Sequence, residues 1–410
     1  MPDTPTPTAL LTTGGRTSPE RVLAARPTSI EIAKSPADAI DLIHRVTATP
    51  ARSPQSGISH PGSEFNSGWA IAISYDLGRH LEPTAAHPER PEPDRDLPLV
   101  IAARIDAADE TTLPPAPCNA EAERSADNGQ RRDFARRVKQ ILNYIRAGDV
   151  YQVNLTERFA QPFDADQRNL AAALFATARP AHGLYLEWPN AHGEFDSLIS
   201  ASPELFLSYD PSTRTLRTRP MKGTRPANAD PQELEAAEKD RAELAMIVDL
   251  MRNDLTRVCR VPSVRVEQAR AIDAHADSVL QATATIAGEL RDGLTLGDAI
   301  GATFPPGSVT GAPKIRAMQI IDELEAAPRG LYCGLAGWIA DDGRAELSVT
   351  IRAAVITGPP HDRTLDFHAG AGIVADSDPE GEWHETLLKT EVIRRALSVE
   401  DVNKHSGQPT

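Results

Sequence analysis

Hydrophobic positions recur along this chain with two periods. Across residues 133–147 apolar side chains fall at Phe134, Val138, Ile141, Leu142 and Ile145, the spacing of one helical face, and Gly148 follows as a C-terminal stop. Residues 239–255 repeat that period, with Glu243, Met246, Ile247 and Leu250 in line. Short apolar runs at 68–75, 97–105 and 150–159 predict strands, and a strand from Ser29 with a helix over 36–46 is expected near the start. Strand spacings are both short and long, without strict strand–helix alternation. The pattern predicts an α+β architecture rather than a doubly wound sheet.

The polar stretches divide the chain. Residues 1–25, rich in Pro, Thr and Gly, read as a loosely attached tail. Residues 26–118 are expected to form an N-terminal subdomain and 132–400 the main domain. Residues 119–131 close a polar linker that begins near 106, and 401–410 form a polar tail.

Composition narrows the function. The chain has 410 residues, 40% hydrophobic and 25% charged, enough for a large core. A net charge of −15 argues against binding nucleic acid or an anionic membrane surface. No stretch approaches the ~18 apolar residues of a membrane span. The first residues lack the pattern of a signal peptide. The three cysteines, Cys118, Cys259 and Cys333, form no CxxC pair and read as buried thiols in a reducing compartment. A cytoplasmic protein is expected.

Several segments carry candidate chemistry. Lys222 lies in Arg-Pro-Met-Lys-Gly-Thr, where proline and glycine predict a stiff, turned backbone suited to a nucleophile or a fixed charge; a loop salt bridge is the alternative. Gln152, in Gly-Asp-Val-Tyr-Gln-Val-Asn-Leu, shares a strand face with Asn154 and cannot act as a base at ordinary pH. Glu243 lies in line with an apolar stripe, a costly place for a carboxylate unless it is paired or metal-bound. The small residues around Thr310 and Gly311 would let backbone N–H groups approach an anion, although the order differs from a nucleotide-binding loop. Glu382, Glu385 and Lys389 are spaced i, i+3, i+7, either an ordinary salt-bridge ladder or a cation site. Oxygen donors without a His or Cys cluster point to Mg²⁺ rather than zinc. Gly370 and Gly372 leave backbone N–H groups for a substrate carboxylate, and Arg352 could clamp another.

These segments, together with SPELFL, YCGLAGW and AGAGIVADSDPEGEWHETLLK, resemble in content and order the chorismate-utilising enzymes, which include component I of anthranilate synthase and of aminodeoxychorismate synthase. The likeness covers residues 133–397 and, more weakly, 68–82. It implies the anthranilate synthase component I-like fold, with large antiparallel β-sheets packed in a sandwich and helices outside. Gln152, where water-using members carry lysine, resembles the ammonia-using branch. Lys222, where anthranilate synthases usually carry alanine, resembles aminodeoxychorismate synthase, whose product leads to 4-aminobenzoate and folate. The resemblance implies chorismate as substrate, covalent attack by Lys222, and Mg²⁺ held by Glu243 and Glu385 with Glu382 assisting. It further implies carboxylate binding by Arg352, Tyr332 and the Gly370-Ala371-Gly372 backbone. Thr310 and Gly311 would line the pocket, and Lys389 would balance the metal carboxylates. No glutamine-amidotransferase half is recognisable, so ammonia is expected from solution or from a separate glutaminase subunit.

One position departs from the family. Gln281 stands where members commonly carry a histidine that helps the C4 hydroxyl leave, and glutamine cannot donate that proton as an acid. His275, six residues earlier, is misplaced to substitute if both lie on one strand. Three readings follow: aminodeoxychorismate synthase component I, anthranilate synthase component I, and a chorismate-binding subunit with impaired catalysis.

Overall fold

Two large sheets organise the chain. The computed structural model describes residues 6–12, 21–48, 65–85, 97–112, 118, 128–226, 229–275 and 279–398. One sheet runs Gly311–Ala312, Gln152–Phe163, Arg363–Ile373, Ala353–Thr357, Phe195–Ser202, His182–Pro189, Ala9–Leu11, Arg21–Ala25 and Asp109–Thr112. The other runs Met221–Pro226, Val279–Glu289, Thr215–Arg219, Leu205–Asp210, Ala345–Val349, Leu335–Ala340, Gly68–Ile73, Val100–Ile105 and Ser29–Ala33, with Arg265–His275 also paired to Val279–Glu289. Every ladder among the described residues is antiparallel. This is the expected α+β sandwich with helices outside.

Three apolar layers hold it together, one between the sheets and one on the outer side of each. Leu184, Leu186 and Leu198 of the first sheet meet Ala70, Ala72, Ala336 and Trp338 of the second. Outside the first sheet pack the helices Asn128–Ala147, Gln167–Ala178 and Pro379–Leu397 through Phe134, Leu174 and Ile393. Outside the second pack Pro36–Thr47, Glu238–Thr256 and Leu296–Thr303 through Leu42, Ile247 and Ile300. The helical periodicities at 133–147 and 239–255 fall within the two long helices that carry them.

The early boundaries differ from the sequence reading. Ala9–Leu11, assigned to a loose tail, is buried between His182–Pro189 and Arg21–Ala25. Asp109–Thr112, assigned to the linker, pairs with Arg21–Ala25. The first hundred residues contribute strands to both sheets rather than a separate subdomain, since Gly68–Ile73 pairs with Leu335–Ala340. Pairing between distant segments supplies the ordering free energy that local composition does not reveal. Residues 1–5, 13–20 and 401–410 of the expected tails, and 113–117 and 119–127 of the expected linker, lie outside the described residues.

One buried ion pair frames the site. Lys314 Nζ donates to Asp254 Oδ2 at 2.6 Å and to the Thr303 carbonyl at 2.8 Å. Both side chains are nearly inaccessible. This pair pins the helix Glu238–Thr256 to the start of the helix Lys314–Leu324, with the 304–313 segment between them. Asp254 thus serves the frame.

Candidate active site

Lys222 sits on the strand Met221–Pro226, at a β-bulge rather than in a loop. Opposite the Val279–Glu289 strand the register steps from Lys222↔Ala282 to Thr224↔Gln281, leaving Gly223 as the extra residue. Gly223 has φ 74°, the left-handed region that glycine enters without a Cβ penalty. A Cβ there would lie 2.8 Å from Asp240 Cγ and 2.8 Å from Leu234 Cδ1. The bulge breaks the strand's alternation at Lys222.

The Lys222 amine reaches across to the first sheet. Its Nζ lies 3.3 Å from where a Cβ on Gly372 would be, and Gln152 Nε2 lies 2.4 Å from that same point. Only a glycine at 372 leaves room for both groups. The closest carboxylate oxygen, Glu243 Oε2, is 4.0 Å from the amine. Burial pushes the lysine pKa down, while Glu243, Glu204 and Glu385 pull it back and Lys389 adds to the depression. The amine is therefore easier to deprotonate than a surface lysine. Gln152 is 1% exposed, and its Oε1 has no hydrogen-bond partner among the described residues. It is a buried acceptor on a side chain whose Nε2 end lies at Gly372, as the Lys222 amine does.

The glycine strand explains its own composition. Asn154 N donates to Thr310 O, so its amide points away from the neighbouring strand Arg363–Ile373. Asn154 faces Gly372 and Thr156 faces Gly370. In an antiparallel ladder the polar groups of Gly370 and Gly372 then point to the opposite edge. The strand Ala353–Thr357 covers that edge only as far as Phe367. Lys389 Nζ already donates to Gly370 O there at 2.8 Å. The remaining N–H groups of both glycines face an uncovered edge suited to a carboxylate. Ala371 lies between them, fully buried, in register with Leu155.

Arg352 is a second positively charged side chain, on an unusual backbone conformation. It has φ 50°, a conformation sparsely populated outside glycine and concentrated at functional sites. Among the described residues its guanidinium makes no hydrogen bond or ion pair. Burial lowers its pKa, and Glu204 opposes that change. Tyr332, also buried, stacks on His368 with centroids 5.2 Å apart and planes at 16°. Burial holds His368 neutral, with its pKa pushed down to about 3.

Glu204 is the residue that sequence reasoning missed. It is 4% exposed, and burial raises its pKa to about 7 against the opposing pull of Ser308, Lys222, His182 and Arg352. A carboxyl with that pKa can deliver a proton near neutrality. The available signal was a glutamate leading the apolar strand Leu205–Asp210, where it had no reason to be unless used.

The other expected residues divide. Thr310 is fully buried, but its Oγ1 donates to the Pro306 and Gly307 carbonyls and its N–H to Gly307 O. Its hydroxyl is occupied inside the turn rather than presented to an anion. Gly311 pairs with Val153, and a Cβ there would lie 2.1 Å from Gln152 O. Gln281 is buried opposite Thr224, one position past the residue that faces Lys222. His275 stands on the other strand of a hairpin, opposite Val279, so it and Gln281 do not share a strand.

The three carboxylates do not form one set. Glu385 Oε1 accepts from Lys389 at 2.8 Å and is half exposed. Glu382 is 5% exposed, with Oε1 accepting from Ser377 at 2.6 Å. Among the described residues no three acidic, histidine or cysteine side chains gather as metal ligands. Glu243 and Glu385 both act on the Lys222 charge from different helices. Oxygen donors such as these two carboxylates, which influence the same amine, are the type that a hard cation takes with substrate and water completing its shell.

The chain belongs to the family of chorismate binding enzymes, whose model matches residues 8–395. It is 41% identical over 271 residues to anthranilate synthase component 1 3 of Haloarcula marismortui, covering 64% of this chain and 52% of that protein. It is 33% identical over 398 residues to aminodeoxychorismate synthase component 1 of Klebsiella aerogenes, covering 89% of this chain and 84% of that one. The chain spans about half the length of the anthranilate synthase relatives it matches, 52% and 54% for two of them. The crystal structure of anthranilate synthase component I from Streptococcus pneumoniae superposes with a TM-score of 0.73 at 23% identity, over 96% of this chain and 93% of that one, which establishes the shared fold.

Gly372→Ala should cut chorismate turnover by about 10²-fold, because the added methyl displaces Gln152 and Lys222. Its thermal midpoint should stay within about 4 °C of wild type. Unchanged turnover would show that the two side chains need no such approach.

Proposed function

We propose that this chain is component I of an aminodeoxychorismate synthase, converting chorismate and ammonia to 4-amino-4-deoxychorismate and water. The observation that supports it best is Lys222, whose largely buried amine approaches Gly372 from one side and Gln152 from another, with no carboxylate closer than 4.0 Å. The neutral amine attacks C2 of the ring, the ring double bonds shift, and the C4 hydroxyl leaves as water with the Glu204 proton. Ammonia then bonds to C4, the double bonds shift back, and the C2–N bond to Lys222 breaks. The C4 ammonium returns its extra proton to Glu204. Covalent catalysis divides one difficult displacement into two easier ones.

Each remaining group has a role in this reading. Arg352 and the Gly370 and Gly372 N–H groups bind the enolpyruvyl carboxylate. Gln152 Oε1 accepts a hydrogen bond from the incoming ammonia. Gln281 hydrogen-bonds near the leaving hydroxyl, while Glu204 replaces the family histidine as acid. Glu243 and Glu385 would hold Mg²⁺, which supplies positive charge for the ring carboxylate. The ammonia comes from solution or a separate glutaminase, and the product supplies 4-aminobenzoate and folate synthesis. A second reading, anthranilate synthase, has the more identical relatives in its favour but assigns Lys222 no work.

Purified protein with chorismate, ammonium and Mg²⁺ should release aminodeoxychorismate, and Lys222→Ala should abolish it with the fold intact by circular dichroism. Fluorescent anthranilate with pyruvate would favour the second reading instead. Activity undiminished in a chelator would overturn the metal assignment.

The Glu204 pKa sets a pH dependence. A carboxyl raised to about 7 is protonated below that value and loses its proton as pH rises through it. Its raised value also means that burial costs stability once the pH climbs above the ordinary carboxylate range. Turnover at saturating chorismate and ammonia should therefore fall on the alkaline side, with an apparent pKa of about 7. Glu204→Gln should remove that limb and lower the plateau by about 10²-fold. A limb that survives the substitution would assign the proton to another group.

A further inference from the structure

The strand that carries Gln152 needs something beside it. Its partner Gly311–Ala312 is only two residues long and covers Val153 and Gln152. The Asn154 amide still reaches Thr310 O, but the outward carbonyl of Asn154 and amide of Thr156 would otherwise be bare in the protein interior, where an unmet backbone group is costly. A side-chain pair takes the place of the missing strand. Arg329 Nη2 donates to Asn154 O at 2.7 Å, and Glu325 Oε1 accepts from Thr156 N at 2.9 Å. A neighbouring strand would otherwise satisfy that carbonyl and that amide.

Arg329 ties this strand to the pocket loop. Its Nη1 donates to Val309 O at 2.7 Å, while Nε and Nη2 bind both oxygens of Glu325 at 2.9 and 2.7 Å. The guanidinium stacks over the Tyr75 ring at 4.5 Å and is almost wholly buried. Val309 precedes Thr310, whose carbonyl accepts from Asn154 N. One planar fork therefore sets the distance between the turn at 307–311 and the strand bearing Gln152. Lysine, a point donor without the fork, cannot hold all four acceptors.

We propose that the Arg329–Glu325 pair is a surrogate edge strand and that Arg329 is a positioning residue for the nucleophile side of the active site. It touches no reacting atom; it fixes Gln152 and the 309–311 backbone relative to Lys222. The catalytic part of this inference rests on the chorismate chemistry proposed above, while the structural part stands on backbone hydrogen bonding alone.

The test is Arg329→Lys in the full chain, read by amide hydrogen exchange and by chorismate turnover beside wild type. Exchange at Asn154 and Gly311 should quicken by about 10-fold while the remote strand Gly68–Ile73 stays at wild-type rates. The kcat should fall by about 10-fold or more, with KM for chorismate within about threefold. Should that variant fail to fold, Glu325→Gln keeps an acceptor for Thr156 and weakens only the grip on Arg329, and it should show the same local loosening to a smaller degree. Wild-type exchange at Asn154 and Gly311, or unchanged kcat despite loosened amides, overturns the proposal. A wild-type protein inactive with chorismate would defeat the reading of function, while the exchange result would still decide the structural claim.

Discussion

The desolvated amine of Lys222, held where two sheets meet, is the constraint on which the site depends. A charge-assisted hydrogen bond would bring a carboxylate oxygen to about 2.8 Å. Here the nearest is 4.0 Å away. The amine is thus drawn toward its neutral form by burial and only partly restored by Glu243, Glu204 and Glu385. Gly223 leaves it at a bulge, and Gly372 leaves it room beside Gln152. The site is built as much by two missing side chains as by the groups that remain.

Charges in this protein follow a division of labour. Those that hold the frame are matched at close range: Lys314 with Asp254 at 2.6 Å, Arg329 with Glu325 at 2.7 Å. Lys314–Asp254 spans sixty residues, and Arg329 and Glu325, four apart, reach together to Val309, Asn154 and Thr156; removing one member of such a buried pair would strand the other's charge. Those that face the cleft, Lys222 and Arg352, lack such partners among the described residues. A buried cation left short of hydrogen bonds is expensive, and an anionic ligand relieves that cost on binding. The matched pairs keep the loop 304–313 and the Gln152 strand in place, while the unmatched ones are the charges that the proposed function gives to the substrate.

Much of this was legible in the residue order. Helical periods at 133–147 and 239–255 marked two long helices, and the family motifs marked the α+β sandwich. The convergence of Lys222, Gln152 and Gly372 was not readable, because it joins strands of different sheets through side-chain reach. The early strands escaped because Ala9–Leu11 is too short to show alternation; only its pairing with His182–Pro189 makes it a strand. Spacing placed Glu382, Glu385 and Lys389 on one face, yet three residues of rotation send Glu382 inward to Ser377 and leave Glu385 outside. Glu204 was passed over because a single acidic residue in an apolar run carries no periodic signal, and its meaning comes from burial.

The covalent role proposed for Lys222 can be tested directly. Protein mixed with chorismate in the absence of ammonia, quenched in acid and digested, should yield a Lys222 peptide heavier by chorismate less one water. Addition of ammonium before the quench should return that peptide to its native mass as aminodeoxychorismate appears. An unmodified Lys222 peptide during sustained turnover, or an adduct that ammonium does not discharge, would contradict the account.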